Sequence, residues 1–295
     1  MGRLKNLVRN INYLSKHSLW DQREEDIVYL TEKILDDGLY EYGIELPNKK
    51  SIKILTQEET LSLIEQQPKS FVRTGDGEIG LILGNDQPFQ KYEKEIADIL
   101  KRLLNTKRND IYVGINRNYY ISLGDADIYS KFYRRKAYDL RNIYKKYLNF
   151  DNVYIDATFT SYELDQQKNE KIDSIYERWK RLFKDKNIVI VCGNGILDGY
   201  KHDVFELAKN KVYINAPRKD AWDEKERIIQ HIKRNNPKEC IVVFILGMAG
   251  KAMIPELTDC GYICWDVGHL AKYYNAYMQG KIMTEDEIKA FYAPD

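Results

Sequence analysis

The last third of the chain most narrows the folds open to it. Asn187–Cys192, Val212–Asn215, Cys240–Leu246 and Tyr262–Asp266 are short apolar runs that read as strands. Between and after them, Val204–Lys209, Asp223–Asn235, Lys251–Thr258 and His269–Met278 read as helices. Strands apolar along their whole length suit a sheet covered on both faces, and strand–helix alternation supplies that cover. The expectation is an α/β fold: a mainly parallel sheet with helices on both faces. The pattern extends upstream. Ile52–Leu55, Ser70–Thr74, Ile111–Ile115 and Val153–Asp156 read as strands, and Gln57–Gln66, Tyr92–Leu104, Asp127–Leu148 and Ile172–Phe183 as helices. Thr56 with Glu59 three residues on has the form of a capping box for the first of these.

Residues 1–50 stand apart as a helical N-terminal extension, and 51–295 form one large domain. Residues 3–16 place Leu4, Leu7, Val8, Ile11 and Leu14 on one helical face, with basic residues elsewhere. Such a helix can dock on a membrane surface or a partner protein, or pack on its own domain. Ile27, Leu30, Ile34 and Leu35 suggest a second helix, and Gly38–Lys50 a connection.

Lys and Arg number 46 against 45 Asp and Glu, so no polyanion binder is indicated and no nucleic-acid partner is expected. The longest apolar run, Cys240–Leu246, is too short to span a bilayer. Cys192, Cys240, Cys260 and Cys264 form no paired CxxC and read as reduced thiols. A cytoplasmic protein is expected, membrane-peripheral if the N-terminal helix docks.

Ligands of parallel sheets sit beyond the carboxyl ends of the strands. Five such ends carry polar or glycine-rich loops. After Ser70–Thr74, the stretch Arg73-Thr74-Gly75-Asp76-Gly77-Glu78 sets two carboxylates one residue apart. On extended backbone they point the same way, and Gly77 leaves bare main chain for an anion. That suits a hard divalent ion that itself holds a diphosphate. An Asp-Gly turn with an acid in a helix's first turn would need no metal. The other four ends carry Gly193-Asn194-Gly195, Pro217-Arg218-Lys219-Asp220, Gly247-Met248-Ala249-Gly250-Lys251 and Asp266-Val267-Gly268-His269. Gly247–Lys251 is no Walker A loop, since its spacing is short and Ala252 replaces the magnesium-binding Ser or Thr. The dinucleotide fingerprint, the nucleophile elbow and zinc spacings are absent too.

Taken in order, these segments resemble the GT-D-type glycosyltransferases of bacteria, a metal-dependent group that uses nucleotide sugars. Arg73–Glu78 is similar to that family's R-x-G-D-G-E stretch with its DxE metal motif, and Pro217–Trp222 to its P-x-K-N-A-[FW] segment. Val189–Asn194 with Asp203, Leu246-Gly247, and Gly261-Tyr262 through His269 resemble its later motifs. Met248-Ala249-Gly250 departs from its usual Pro-Thr-Ala, Cys192-Gly193-Asn194 from an acid-containing loop, and Ala271 from a frequent Asp. The resemblance spans about Ser51 to Met278 and leaves residues 1–50 outside it.

The resemblance implies a Rossmann-like domain that moves a hexose such as glucose from a UDP-sugar to a glycan or glycoprotein acceptor. It implies Mn²⁺ or Mg²⁺ on Asp76 and Glu78. Arg73, Gly75, Gly77, Gly193, Asn194, Pro217, Arg218, Lys219, Gly247 and Gly250 are the expected donor contacts. Asp266 and His269, at one strand end, are the candidate catalytic pair. A metal-dependent phosphohydrolase and a non-catalytic nucleotide-binding module remain as alternatives, and a homo-oligomer or a partner glycosyltransferase stays open.

Overall fold

The computed structural model describes residues 52–120, 131–161 and 169–280, with single positions in the terminal segments. Both N-terminal helices expected before residue 50 lie outside the described residues. The chain divides into two compact units: Met1–Asn48 with Asn118–Arg141, and Lys49–Arg117 with Asn142–Asp295. In the first, buried Arg141 donates from Nη1 to the Tyr119 carbonyl at 2.7 Å. The second contains the sheet and every candidate site residue.

Eight strands form one sheet: β1 (Lys53–Ile54), β2 (Ser70–Thr74), β3 (Ile111–Ile115), β4 (Val153–Asp156), β5 (Asn187–Gly193), β6 (Asn210–Ala216), β7 (Ile241–Ile245) and β8 (Ile263–Asp266). Their order is β1-β4-β3-β2-β8-β7-β5-β6, and every pairing is parallel. The described helices are α1 (Gln57–Gln66), α2 (Asp76–Ile82), α3 (Lys94–Asn105), α4 (Lys131–Tyr144), α5 (Glu170–Phe183), α6 (Lys225–Asn235), α7 (Gly247–Asp259) and α8 (Leu270–Met278). This is the α/β, Rossmann-like architecture expected from the strand–helix alternation.

Local chemistry accounts for most boundaries. Thr56 accepts from the Glu59 N–H, and Glu59 answers with a 2.8 Å bond from the Thr56 N–H, closing the expected capping box of α1. Asn169 caps α5 through Ile172 N–H at 3.0 Å. Residues 204–209 correct an expectation: they form turns and not a helix. Asp185 N–H donates to Leu207 O at 3.0 Å and Lys209 N–H to Lys186 O at 2.8 Å, so the segment's polar groups pair with the start of β5.

The strands of the two sequence halves meet where β2 pairs with β8, with Phe71 opposite Trp265. Phe71 stacks on Trp265 at 5.8 Å and meets Phe159 edge-on at 5.1 Å. Trp179 and Phe183 of α5 complete this fully buried aromatic layer. Offset and edge-on packing of such rings contributes about 0.5–1.5 kcal/mol per pair beyond burial. The layer fixes the height at which Arg73 and Asp266 emerge at the strand ends.

Candidate functional site

At the end of β2 the chain turns at once into α2. Gly75 is the N-cap, and its N–H donates to Glu78 Oε2 at 2.7 Å. Asp76 and Glu78 therefore lie in the first turn of a helix, where residues two apart do not share a face. This corrects the extended reading of the pair: partly exposed Asp76 and buried Glu78 face different surroundings. Gly77 also differs from expectation. A Cβ there would lie 2.5 Å from Met248 Cε, so the absent side chain makes room for a residue of α7. Gly250, in α7's first turn, serves packing in the same way, since its Cβ would lie 2.9 Å from Phe244.

Buried Glu78 forms an ion pair with Lys251 of α7, itself buried. The Lys251 ammonium also lies 3.9 Å from Asp266 Oδ2. Asp266 ends β8 and is 1% exposed. Arg73 holds it by three bonds: backbone N–H to Oδ2 at 3.1 Å, Nη2 to Oδ1 at 3.2 Å, and Nε to its carbonyl at 2.8 Å. Arg73 Nη1 reaches Ala157 O at 3.3 Å. The turn presenting that carbonyl is braced by buried Asp156, which accepts from Thr158 N–H at 2.9 Å and whose carboxyl burial pushes up. Two cations and two acids thus interlock across β2, α2, α7 and β8. Removing one partner of a buried pair costs about 3–5 kcal/mol, because the other charge is stranded.

Gly268 completes this arrangement. It has φ +51°, and a Cβ on it would sit 1.9 Å from Arg73 Nη2. Sequence reasoning singled out neither Lys251 nor Gly268 as site residues. Lys251 carried one signal, a lysine in the first turns of a helix after a glycine-rich strand end.

The β5 and β6 ends lie side by side. Asn194 N–H donates to Ala216 O at 2.9 Å, and Arg218 Nε to Asn194 O at 2.7 Å. A Cβ on Gly193 would meet the Arg218 backbone at 3.3 Å. Lys219 is exposed beside it, after Pro217. Asp220 takes the left-handed conformation, φ 52°, which Asp tolerates better than most residues. Its N–H donates to Phe89 O at 3.0 Å, and its Oδ1 accepts from Lys91 N–H at 2.7 Å. Trp222 N–H bonds Gln90 Oε1 at 3.3 Å. Gln87, in that same segment, covers Gly80 of α2. The basic turn after β6 is therefore clasped to the segment that follows the acidic helix.

His269 follows Gly268 and opens α8. It lines a small cleft with Phe89, Ile196, Leu197, Tyr200 and Phe291, beyond the ends of β5 and β8. Burial, then the nearby charges of Lys272, Arg73 and Lys251, lower its pKa to about 4. The imidazole is neutral at pH 7. Asp266, by contrast, spends its carboxylate on Arg73, so the two candidate catalytic groups sit in different environments.

Asp76 and Glu78 are hard oxygen donors and Asp76 is accessible, so although the two do not share a face of α2, their donor chemistry fits a divalent ion that completes its shell from phosphates and water. Among the described residues no group of three His, Cys, Asp or Glu converges for metal binding. Glu78 enters the set only by sharing an oxygen with Lys251. Among those residues, too, no helix is long and apolar enough to cross a membrane.

Comparisons with known proteins bear on the family and the fold. The family described as "Glycosyltransferase GT-D fold" matches residues 71–290. The chain is 25% identical over 258 residues to a Streptococcus gordonii protein described as "Probable glycosyl transferase Gly", covering 84% of this chain and 36% of that one. It is 24% identical over 251 residues to "Glycosyltransferase GlyD" of Streptococcus pneumoniae, covering 84% of this chain and 30% of the other. The chain thus spans about a third of the length of the curated relatives it matches. A solved structure of "domain of unknown function 1792", described as having a distinct glycosyltransferase fold, superimposes with TM-score 0.71 at 25% identity, covering 85% of this chain and 87% of the other. A Streptococcus sanguinis structure described as "A New Glycosyltransferase" gives TM-score 0.71 at 21% identity over 79% of this chain and 87% of the other, a likeness of fold.

Proposed function

The chain belongs to the GT-D glycosyltransferase family, and on that premise we propose that it transfers a hexose, such as glucose, from a UDP-sugar to a glycan or glycoprotein acceptor. Glycoprotein or surface-polysaccharide synthesis is the corresponding setting. The observation that carries this reading is the clasp at Asp220, which ties the exposed Arg218-Lys219 turn to the segment after the acidic helix. The clasp supports reading these two strand ends together, with cations for a diphosphate on one and acids for its metal on the other.

In this reading Lys219 and Arg218 contact the donor diphosphate, with the Gly193–Gly195 loop held beside them by Arg218. Transfer joins the acceptor oxygen to the anomeric carbon as the bond to the diphosphate oxygen breaks, leaving negative charge on UDP. Asp76 and Glu78 hold Mn²⁺ or Mg²⁺, which when bound supplies Lewis-acid stabilisation of that leaving group. Arg73, its guanidinium committed to Asp266 and Ala157, acts through the fixed field of its charge. Asp266 is a positioning residue that holds Arg73. In this reading His269, neutral at pH 7, accepts a hydrogen bond from the acceptor hydroxyl. Its low pKa makes it a weak proton acceptor, so orientation is its larger contribution.

A thermal-shift panel of nucleotides and nucleotide sugars, with and without Mn²⁺, tests the reading, followed by UDP release in the presence of acceptor. UDP and a UDP-hexose are expected to stabilise the protein by about 2.7 kcal/mol at a hundredfold excess over Kd. Absence of stabilisation by every nucleotide sugar, with Mn²⁺ present, would remove the proposal.

A further inference from the structure

Both oxygens of Glu78 are already engaged. Oε2 accepts from Gly75 N–H at 2.7 Å, a bond built into the start of α2. Oε1 accepts from the Lys251 ammonium, which arrives from α7. The first bond moves only if α2 unwinds. The second ends on a flexible four-carbon stem, and 3.9 Å away lies an alternative acceptor, Asp266 Oδ2. A dication approaching Glu78 therefore meets an ammonium in a poorly screened site, where like charges at such range repel strongly.

We propose that Lys251 is a positioning residue that competes with the divalent metal for Glu78. The ammonium balances the buried carboxylate while the metal is away, and cedes Oε1 by leaning toward Asp266 when the metal enters. The exchange breaks no covalent bond and moves no proton. It rests on the reading that Asp76 and Glu78 are the metal's ligands. A diphosphate that arrives with the ion brings the negative charge that favours the exchange, so free protein holds metal weakly and nucleotide-loaded protein holds it well.

The test is a Mn²⁺ titration of the whole chain, without nucleotide, followed by electron paramagnetic resonance. Lys251→Met should bind Mn²⁺ about tenfold or more tightly than the unaltered protein, from removal of one neighbouring positive charge. Lys251→Arg, which keeps the charge, should not show that gain. Lys251→Met binding no tighter than the unaltered protein overturns the proposal. Adding Asp76→Asn to Lys251→Met separates the two readings: loss of the gain supports both, and its persistence shows that the metal sits elsewhere. Should Lys251→Met fail to fold, Lys251→Gln, which keeps a polar partner for Glu78 without the charge, is titrated in its place. It too should bind Mn²⁺ several-fold more tightly than the unaltered protein. Unchanged affinity there overturns the exchange.

Discussion

One methyl group at position 268 would collide with Arg73 Nη2 at 1.9 Å, on backbone already at φ +51°. Gly268→Ala is accordingly expected to lower stability by about 1–3 kcal/mol, read by urea unfolding, because it adds backbone strain and disturbs the Arg73–Asp266 pair. His269 carries a pH prediction. Its folded pKa, about 4, lies below the unfolded value of 6.5, so the folded state binds fewer protons. Its contribution to stability is complete above pH 6.5 and is lost as pH falls toward 4. Unfolding midpoints measured across that window should drop for the natural chain and less for His269→Gln. Lys219 belongs to ligand binding. Lys219→Ala should weaken UDP by roughly 1.5–3 kcal/mol in a calorimetric titration, through loss of a charge-assisted hydrogen bond. His269→Ala should leave UDP affinity nearly unchanged, and an equal loss in both variants would place the histidine in the nucleotide shell.

Elements show where sequence reading succeeds and where it stops. The start of α1 was legible because Thr56 and Glu59 settle it between themselves, three residues apart. The strands β2, β3 and β4 were legible residue for residue because a short apolar stretch bounded by polar and turn-forming residues has few other uses. The geometry of Asp76 and Glu78 stayed open between an extended pair and a helix's first turn, because Gly75 can end a strand or cap a helix, and the Glu78 bond decides for the helix. Residues 204–209 misled for the opposite reason: a helical apolar spacing too short to outweigh turn bonds to the start of β5. Asp266 was legible as a strand-end carboxylate, but its bond to Arg73 and the pairing of Lys251 with Glu78 escaped local reasoning, since those partners lie 193 and 173 residues away. The clasp makes an element-level prediction. Asp220→Ala should lower donor affinity by freeing the turn after β6 from residues 89–91, whereas Asp220→Asn, which tolerates the same backbone and still offers an acceptor, should retain most of it. Equal affinity in Asp220→Ala and the natural protein would break the link between the two strand ends.

At the scale of the whole molecule, each proposed donor ligand lies in the unit built from Lys49–Arg117 and Asn142–Asp295. Deleting residues 1–16 should thus leave UDP affinity intact, while binding to liposomes or to a partner glycosyltransferase weakens if the basic helix docks there. The position of β8 beside β2 carries a consequence in time. Arg73 leaves the ribosome long before Asp266, 193 residues later in the chain, so β2 must wait for its central neighbour through most of synthesis. Pairing so distant in sequence is slow to close and leaves strand edges uncovered meanwhile. The nascent chain therefore carries Arg73 and Glu78 without their partners until its last segments emerge. The charges proposed to handle the donor are thus assembled by a late folding step, and arrested chains that stop short of residue 262 should be digested by protease where the finished protein resists.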